Sequence, residues 1–145
     1  MLKHSEKRFL PYTPEQLFTL VADVDSYPEF LPWCLDARVT ARNDEEMKAD
    51  LIVGYKMFRE KFTSVVALHP HRNIEVSYVS GPLSHLQNSW QFASAKGGCE
   101  LGFDLAFAFR TPLFANLFGA FFENAMKRMA HAFETRAHDL YGTES

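Results

Sequence analysis

Residues 101–122 read Leu101-Gly-Phe-Asp-Leu-Ala-Phe-Ala-Phe-Arg-Thr-Pro-Leu-Phe-Ala-Asn-Leu-Phe-Gly-Ala-Phe-Phe122, and the hydrophobic period changes in the middle. Leu101, Phe103, Leu105, Phe107 and Phe109 alternate with smaller or polar residues, the signature of a strand with one buried face. Thr111-Pro112 then supplies an N-cap followed by proline at the first helical position. From there the period is that of a helix, to about Leu140. At 1.5 Å per residue this single element is about 40 Å long. A sheet must bury its apolar face, and this helix is the only element long enough to cover it.

Working back from residue 101, the same period of two recurs. Leu35–Ala41, Met47–Val53, Phe58–Leu68, Ile74–Tyr78 and Leu86–Phe92 each alternate, and Gly81-Pro82 and Lys96-Gly97-Gly98 mark turns. Alternation with short turns predicts an antiparallel meander. Leu2–Leu10 reads as a further strand that stops before Pro11. Thr13-Pro14-Glu15-Gln16 has the capping-box pattern and opens a first helix carrying Leu17, Leu20, Val21 and Val24. Ser26–Leu31 reads as a second, short helix broken by Pro32. The expectation is an α+β helix-grip fold in one domain over residues 1–145: a strand, two helices, six strands and a long helix, with about seven strands curved around it.

Composition narrows the function classes. The chain has 145 residues, 47% hydrophobic and 23% charged, with 14 Phe, 5 Tyr and 2 Trp. Net charge is −3, without the positive field of a nucleic-acid-binding domain, so no DNA partner is expected. Lys3, His4, Lys7 and Arg8 form the one obvious basic cluster and read as the solvated charges of the first strand. Two distant cysteines, Cys34 and Cys99, make neither a disulfide framework nor a zinc site, and fit a reducing cytosol. No apolar leader or run of membrane-spanning length is visible, so the expected location is cytoplasmic.

Two features exceed what a core needs. Leu113, Phe114, Leu117, Phe118, Phe121 and Phe122 spread wider than the ~100° stripe by which a helix packs on a sheet. Either the extra rings pack under the two short helices, or this end borders a cavity mouth or touches a bilayer. Gly119 weakens the helix there and would let it move as a lid. The second feature is polar residues on inward strand phases: Glu60 and Ser64 share the face of Phe58, Phe62 and Val66, and Asn88 lies between Leu86 and Trp90. These groups either bond one another, the backbone or an internal water, or point into a cavity and hold a ligand's polar head.

Motifs for catalysis are missing. Gly97-Gly98 sits at a hairpin rather than between a strand and a helix, and no HExxH or nucleophile elbow occurs. His69-Pro70-His71 reads as a surface turn, and His131 and His138 as helix residues, so no metal is expected. An enzyme would have to use Glu60 or a histidine as acid or base.

The stretch Val21-Ala-Asp-Val-Asp-Ser-Tyr-Pro-Glu-Phe-Leu-Pro-Trp-Cys34 closely resembles the signature of the coenzyme Q-binding, START-like family, which also includes the ribosome association toxin type. The resemblance continues in Gly81-Pro-Leu-Ser-His-Leu-Gln-Asn-Ser-Trp-Gln-Phe92, Cys99–Phe103, Phe107-Ala-Phe109, Thr111-Pro-Leu113 and Phe133-Glu-Thr-Arg136, nearly the whole chain. It implies a domain that holds a hydrophobic isoprenoid such as ubiquinone as a carrier for respiratory electron transfer, without catalysis and with no required cofactor. The toxin type implies instead binding to the large ribosomal subunit that blocks subunit joining. Peripheral contact with the inner membrane fits the first reading. A cavity rich in Phe and Tyr suits a polyprenyl tail, each buried CH₂ contributing about 0.8 kcal/mol. The residues expected to line it or its mouth are Tyr27, Phe30, Leu31, Trp33, Phe58, Glu60, Phe62, Tyr78, Asn88, Trp90, Phe103, Phe107, Leu113, Phe114, Leu117, Phe118, Phe121 and Phe122. In this reading the Tyr27–Cys34 loop lies beside the mouth and faces the lid at Leu113–Phe122.

Overall fold

A computed structural model describes residues 1–142, so the last residues of the domain expected over 1–145 lie outside the described part. The elements are β1 (Leu2–Leu10), α1 (Pro14–Ala22), a 3₁₀ turn (Val24–Glu29), β2 (Cys34–Arg42), β3 (Glu46–Tyr55), β4 (Phe58–His69), β5 (Asn73–Ser80), β6 (Leu83–Ala95), β7 (Gly98–Phe109), α2 (Pro112–Lys127) and α3 (Met129–Tyr141). The seven strands form one antiparallel sheet in the order β1-β7-β6-β5-β4-β3-β2. Strands β2 to β7 are therefore a meander, and β1 closes it by pairing with β7. Register shifts at Cys34/Asp36, Val39/Ala41, Thr63/Ser64 and Leu83/His85 put bulges into long strands and bend the sheet.

Local chemistry explains the helix starts. The Thr13 hydroxyl accepts from the Gln16 amide at 3.1 Å, and the Thr13 amide donates to Gln16 Oε1 at 2.9 Å. Thr111 repeats the cap, accepting from the Phe114 amide at 3.2 Å. The short helix expected over Ser26–Leu31 is a 3₁₀ turn starting earlier, with Pro28 inside it. Proline removes a donor from so short a segment, and the tighter turn needs fewer.

The long helix departs from expectation, because it is two helices meeting at Arg128. Arg128 has φ −96° and ψ 1°, and its amide is shared between the Asn124 and Ala125 carbonyls at 3.2 and 3.3 Å. The sequence carries no proline or glycine there to mark a break. Tertiary packing makes it: α2 lies on β7, whereas α3 also packs against α1. Gly119, the weak point expected from sequence, is inside α2.

The N-terminal basic cluster also differs from its reading. His4 and Arg8 are half-buried on the inner face, where each reaches Glu6, at 3.0 and 2.8 Å. Arg8 also donates to Glu134 of α3 at 3.0 Å. Only Lys3 and Lys7 of the cluster are exposed. Burial opposes ionisation of Glu6, but hydrogen bonds and charge from His4 and Arg8 outweigh it and lower its pKa.

Candidate functional site

A cavity of about 110 Å³ lies between the concave face of the sheet and its helical cover. Its floor takes alternate residues from five strands: Ala49, Leu51 and Val53; Phe62, Ser64 and Val66; Ile74 and Val76; Leu86, Asn88 and Trp90; Phe103 and Leu105. Val21, Val24, Tyr27 and Trp33 close one side, and Phe122, Met126, Met129 and Phe133 the other. The strand pleat brings these side chains together, since every second residue faces inward. Among the described residues, no carboxylate, histidine, lysine, arginine or thiol belongs to this wall.

Phe133 organises the helical side of the cavity. Its ring centroid lies 4.9 Å from Trp90, 5.0 Å from Phe30 and 5.2 Å from Tyr27, all edge-on, and Trp90 lies 4.6 Å from Phe103. Tilted and edge-on contacts at these spacings are the favourable ring geometries. The polar groups of the wall are few and held. Asn88 Nδ2 donates to the Asp104 carbonyl at 3.0 Å, and its Oδ1 accepts from the Trp90 indole at 2.9 Å. A carboxamide has two donors and two acceptor lone pairs, so one of each is still free to meet a ligand. The Tyr27 hydroxyl donates to the Val21 carbonyl, and burial raises its pKa, with the nearby Cys34 and Asp23 acting in the same sense. Cys34 is buried and its thiol is pushed up to about 11, by burial and then by Asp36, which disfavours the thiolate.

Beyond Phe122 the first turns of α2 meet the β3–β4 hairpin through a series of ring contacts. Phe121 stacks on Tyr55 at 4.3 Å, Phe118 meets Phe58 at 5.0 Å and Tyr55 at 6.2 Å, and Phe114 stacks on Phe118 at 5.7 Å. None of the rings in this aromatic seam belongs to the cavity wall, which ends towards the seam at Phe62 and Phe122.

Seven of the residues expected to line the cavity or its mouth are on the wall, Tyr27, Trp33, Phe62, Asn88, Trp90, Phe103 and Phe122, and so is Ser64, one of the inward polar residues. Phe58, Phe114, Phe118 and Phe121 form the seam instead. Glu60 sits on the inward phase of β4 but further out, opposite Val53 and half-buried. Asn88 bonds Asp104 and Trp90, not Glu60. The Tyr78 hydroxyl accepts from the Leu83 amide at 2.9 Å, which ties it to the β5–β6 turn rather than the cavity. Phe30 is drawn aside, with the Arg136 guanidinium 5.0 Å over its ring. Leu31 is core, its amide bonded to the Tyr27 carbonyl at 2.9 Å as the chain turns inward. Phe107 is also core, because the Phe122 ring covers it at 4.8 Å. Leu113 and Leu117 point to solvent, off the Phe118, Phe122 and Met126 stripe that α2 buries. The segment expected to move as a lid, Leu113–Phe122, therefore faces the β3–β4 hairpin, not the Tyr27–Cys34 loop, whose Tyr27 and Phe30 pack on α3.

The aliphatic half of the wall went unnoticed in the sequence. Ala49, Leu51, Val53, Val66, Ile74, Val76, Leu86 and Leu105 lie on inward phases that are legible from alternation, but nothing separates a cavity-facing valine from a packed one. Met126, Met129 and Phe133 follow the period of the last helix, which does not separate a cavity-facing side chain from a packed one either.

Residues 10–134 match the family model described as polyketide cyclase / dehydrase and lipid transport. A ribosome association toxin of Rickettsia prowazekii is 37% identical over 97% of this chain and 99% of its own length. A mitochondrial coenzyme Q-binding protein homologue of Xenopus laevis is 31% identical over 99% of this chain and 61% of its own. Among solved structures, an 18 kDa protein of Caulobacter crescentus is 36% identical with a TM-score of 0.75, over 99% of this chain and 100% of that one. A Streptomyces aromatase/cyclase superposes with a TM-score of 0.82 at 17% identity, covering 94% and 93%, a likeness of fold alone.

Proposed function

The chain belongs to the polyketide cyclase / dehydrase and lipid transport family, and from that we propose that it is a non-catalytic carrier for a hydrophobic isoprenoid, ubiquinone above all, in support of respiratory electron transfer. The observation that carries this reading is the apolar cavity, whose wall offers one carboxamide with spare hydrogen-bonding capacity and no general acid or base. The relative named for coenzyme Q binding supports the choice of ligand. A wall of this kind solvates a ring and tail, and Asn88 supplies a donor for a quinone carbonyl.

Size decides how such a ligand is held. A cavity of roughly 150 Å³ takes benzene, and pockets for larger ligands run from about 300 Å³. At about 110 Å³ the closed form fits little more than part of a ring. The head group enters only when the α2 seam opens, and the tail then leaves through the mouth between Phe118, Phe121 and Tyr55. No helix of the described residues is long and apolar enough to cross a membrane. In this reading the carrier meets its ligand at a membrane surface, from the cytoplasmic side.

Both tryptophans of the chain, Trp33 and Trp90, line the cavity, which provides the test. Titration with a short-tailed ubiquinone is expected to quench their emission saturably at one ligand per chain. Solvent extraction of the purified protein with mass spectrometry is expected to recover a native quinone. Ser64→Leu, which fills the floor, should weaken quenching at least tenfold. A protein that carries no lipid and shows no saturable quenching contradicts the carrier reading.

A second reading rests on the Rickettsia relative named a ribosome association toxin, which matches the full length of the domain at higher identity. It expects co-sedimentation with the large ribosomal subunit and loss of subunit joining, whether or not a quinone is bound.

A further inference from the structure

The exposed apolar side chains are not scattered. Of ten large ones among the described residues, Met57 and Phe58 lie at the β3–β4 turn, Val79 before the β5–β6 turn, and Leu113 and Leu117 in the first turns of α2. Ladder pairing puts all of these at one end of the sheet: Tyr55 is opposite Phe58, Thr63 opposite Ser80, and Leu83 opposite Phe109. The Arg110 amide bonds to the Pro82 carbonyl at 3.2 Å, and the Phe58 and Phe118 rings touch, so the three segments form one surface. Met57 is its tip, 93% exposed.

Charge at this end has the opposite sign to the whole. This end carries Lys56, Arg59, Lys61 and Arg110 against Glu60 and against Asp36, which lies level with Lys61 across β3, in a chain of net charge −3. All four cations are exposed, and Glu60 is half-buried. At the far end Asp44, Glu45 and Glu46 of the β2–β3 turn are offset by Arg42, Arg72 and Lys96, so the net positive charge is confined to the Met57 end.

We propose that this end docks on an anionic phospholipid bilayer, with Met57, Leu113 and Leu117 entering the interfacial layer and Lys56, Arg59, Lys61 and Arg110 meeting lipid phosphates. Apolar tips ringed by cations match a surface that is anionic outside and hydrocarbon within. An RNA surface gives the cations partners but leaves Met57 and Leu113 in water. The same end holds the aromatic seam, so in the carrier reading docking places the cavity mouth against the membrane. This deepens the carrier reading by naming where the ligand is exchanged, yet it is tested without any quinone.

The test is flotation of the purified protein with vesicles of phosphatidylcholine alone and of phosphatidylcholine with an equal share of phosphatidylglycerol. Binding is expected to the mixed vesicles only, and to fall with added salt. Met57→Asp and Lys56→Asp are each expected to weaken it about tenfold or more, a cation at such a surface being worth about fivefold and its reversal more. Met57 makes no buried contact and aspartate tolerates the positive φ of 54° at Lys56, so both variants should keep wild-type melting and quinone quenching. Equal binding by wild type and both variants, or no binding to mixed vesicles, overturns the docking proposal, while saturable quenching of the same protein would still uphold the carrier. Retention by ribosomes that is lost in Lys56→Asp, without vesicle binding, also overturns it and assigns the surface to RNA.

Discussion

The two halves of the C-terminal helical cover hold on to the sheet in different ways. α3 is fastened by every means available: Ala130, Phe133 and Ala137 are at most 2% exposed, and Phe133 meets three rings. Polar ties surround that core, with Arg136 to Glu29 and Arg8 to Glu134, both at 3.0 Å, and the Tyr141 hydroxyl donating to the Gln16 carbonyl at 3.0 Å. The first turns of α2 have ring contacts and their own N-cap, and leave Leu113 and Leu117 65% and 43% exposed. Directional bonds fix α3 in one place, whereas stacked rings can part and re-form. In the carrier reading α3 is the anchor of the cover, joined at Arg128 to α2 as its gate.

Phe133→Ala should break that contrast most severely. It removes a fully buried ring at the centre of the anchor, with an expected loss of about 3–5 kcal/mol in urea unfolding. Leu117→Ala, in the gate, should stay within about 1 kcal/mol, because the side chain is already largely in water. Similar losses for both would remove the distinction.

Gly119→Ala sharpens it from the other side. A methyl placed on Gly119 meets nothing within 4 Å, and the residue does not need positive φ. Packing does not require glycine there. Alanine should therefore stabilise the protein by about 0.5–1 kcal/mol. If glycine softens the gate, the same change should slow quinone uptake in stopped-flow quenching.

The smallest effect concerns pH. The pKa of Glu6 is lowered in the fold, so its contribution to stability is complete above the ordinary carboxylate value and lost as pH falls through the folded value. Wild type should lose stability below about pH 4.5 more steeply than Glu6→Gln, as read by thermal melts across that range. Identical slopes would mean that the His4–Glu6–Arg8–Glu134 tie to α3 contributes nothing.

Much of this was legible in sequence, and the failures share a cause. Alternation located six of the seven strands, Pro11 marked the end of the first, and Thr13-Pro14 and Thr111-Pro112 located two helix starts, because pleat and cap are local rules. The excess of rings in Leu113–Phe122 pointed to a special end of the last helix. The break at Arg128 was illegible, since no local residue makes it and the packing of α2 and α3 on different elements does. Asn88 and Glu60 looked equivalent as inward polar residues. Whether each meets a partner depends on neighbouring strands, and only Asn88 has the Asp104 carbonyl and Trp90 indole within reach. The cavity itself is the space that Val66, Ile74 and Leu105 leave unfilled, which no periodicity records.

Hydrogen exchange read by mass spectrometry, without and with a short-tailed ubiquinone, tests the gate and the cavity together. Amides of residues 113–121 should exchange much faster than those of residues 130–138 in the free protein, and slow on adding quinone while the α3 amides hardly change. Equal protection of the two helices, or a quinone that protects neither, would contradict an α2 gate over a ligand cavity.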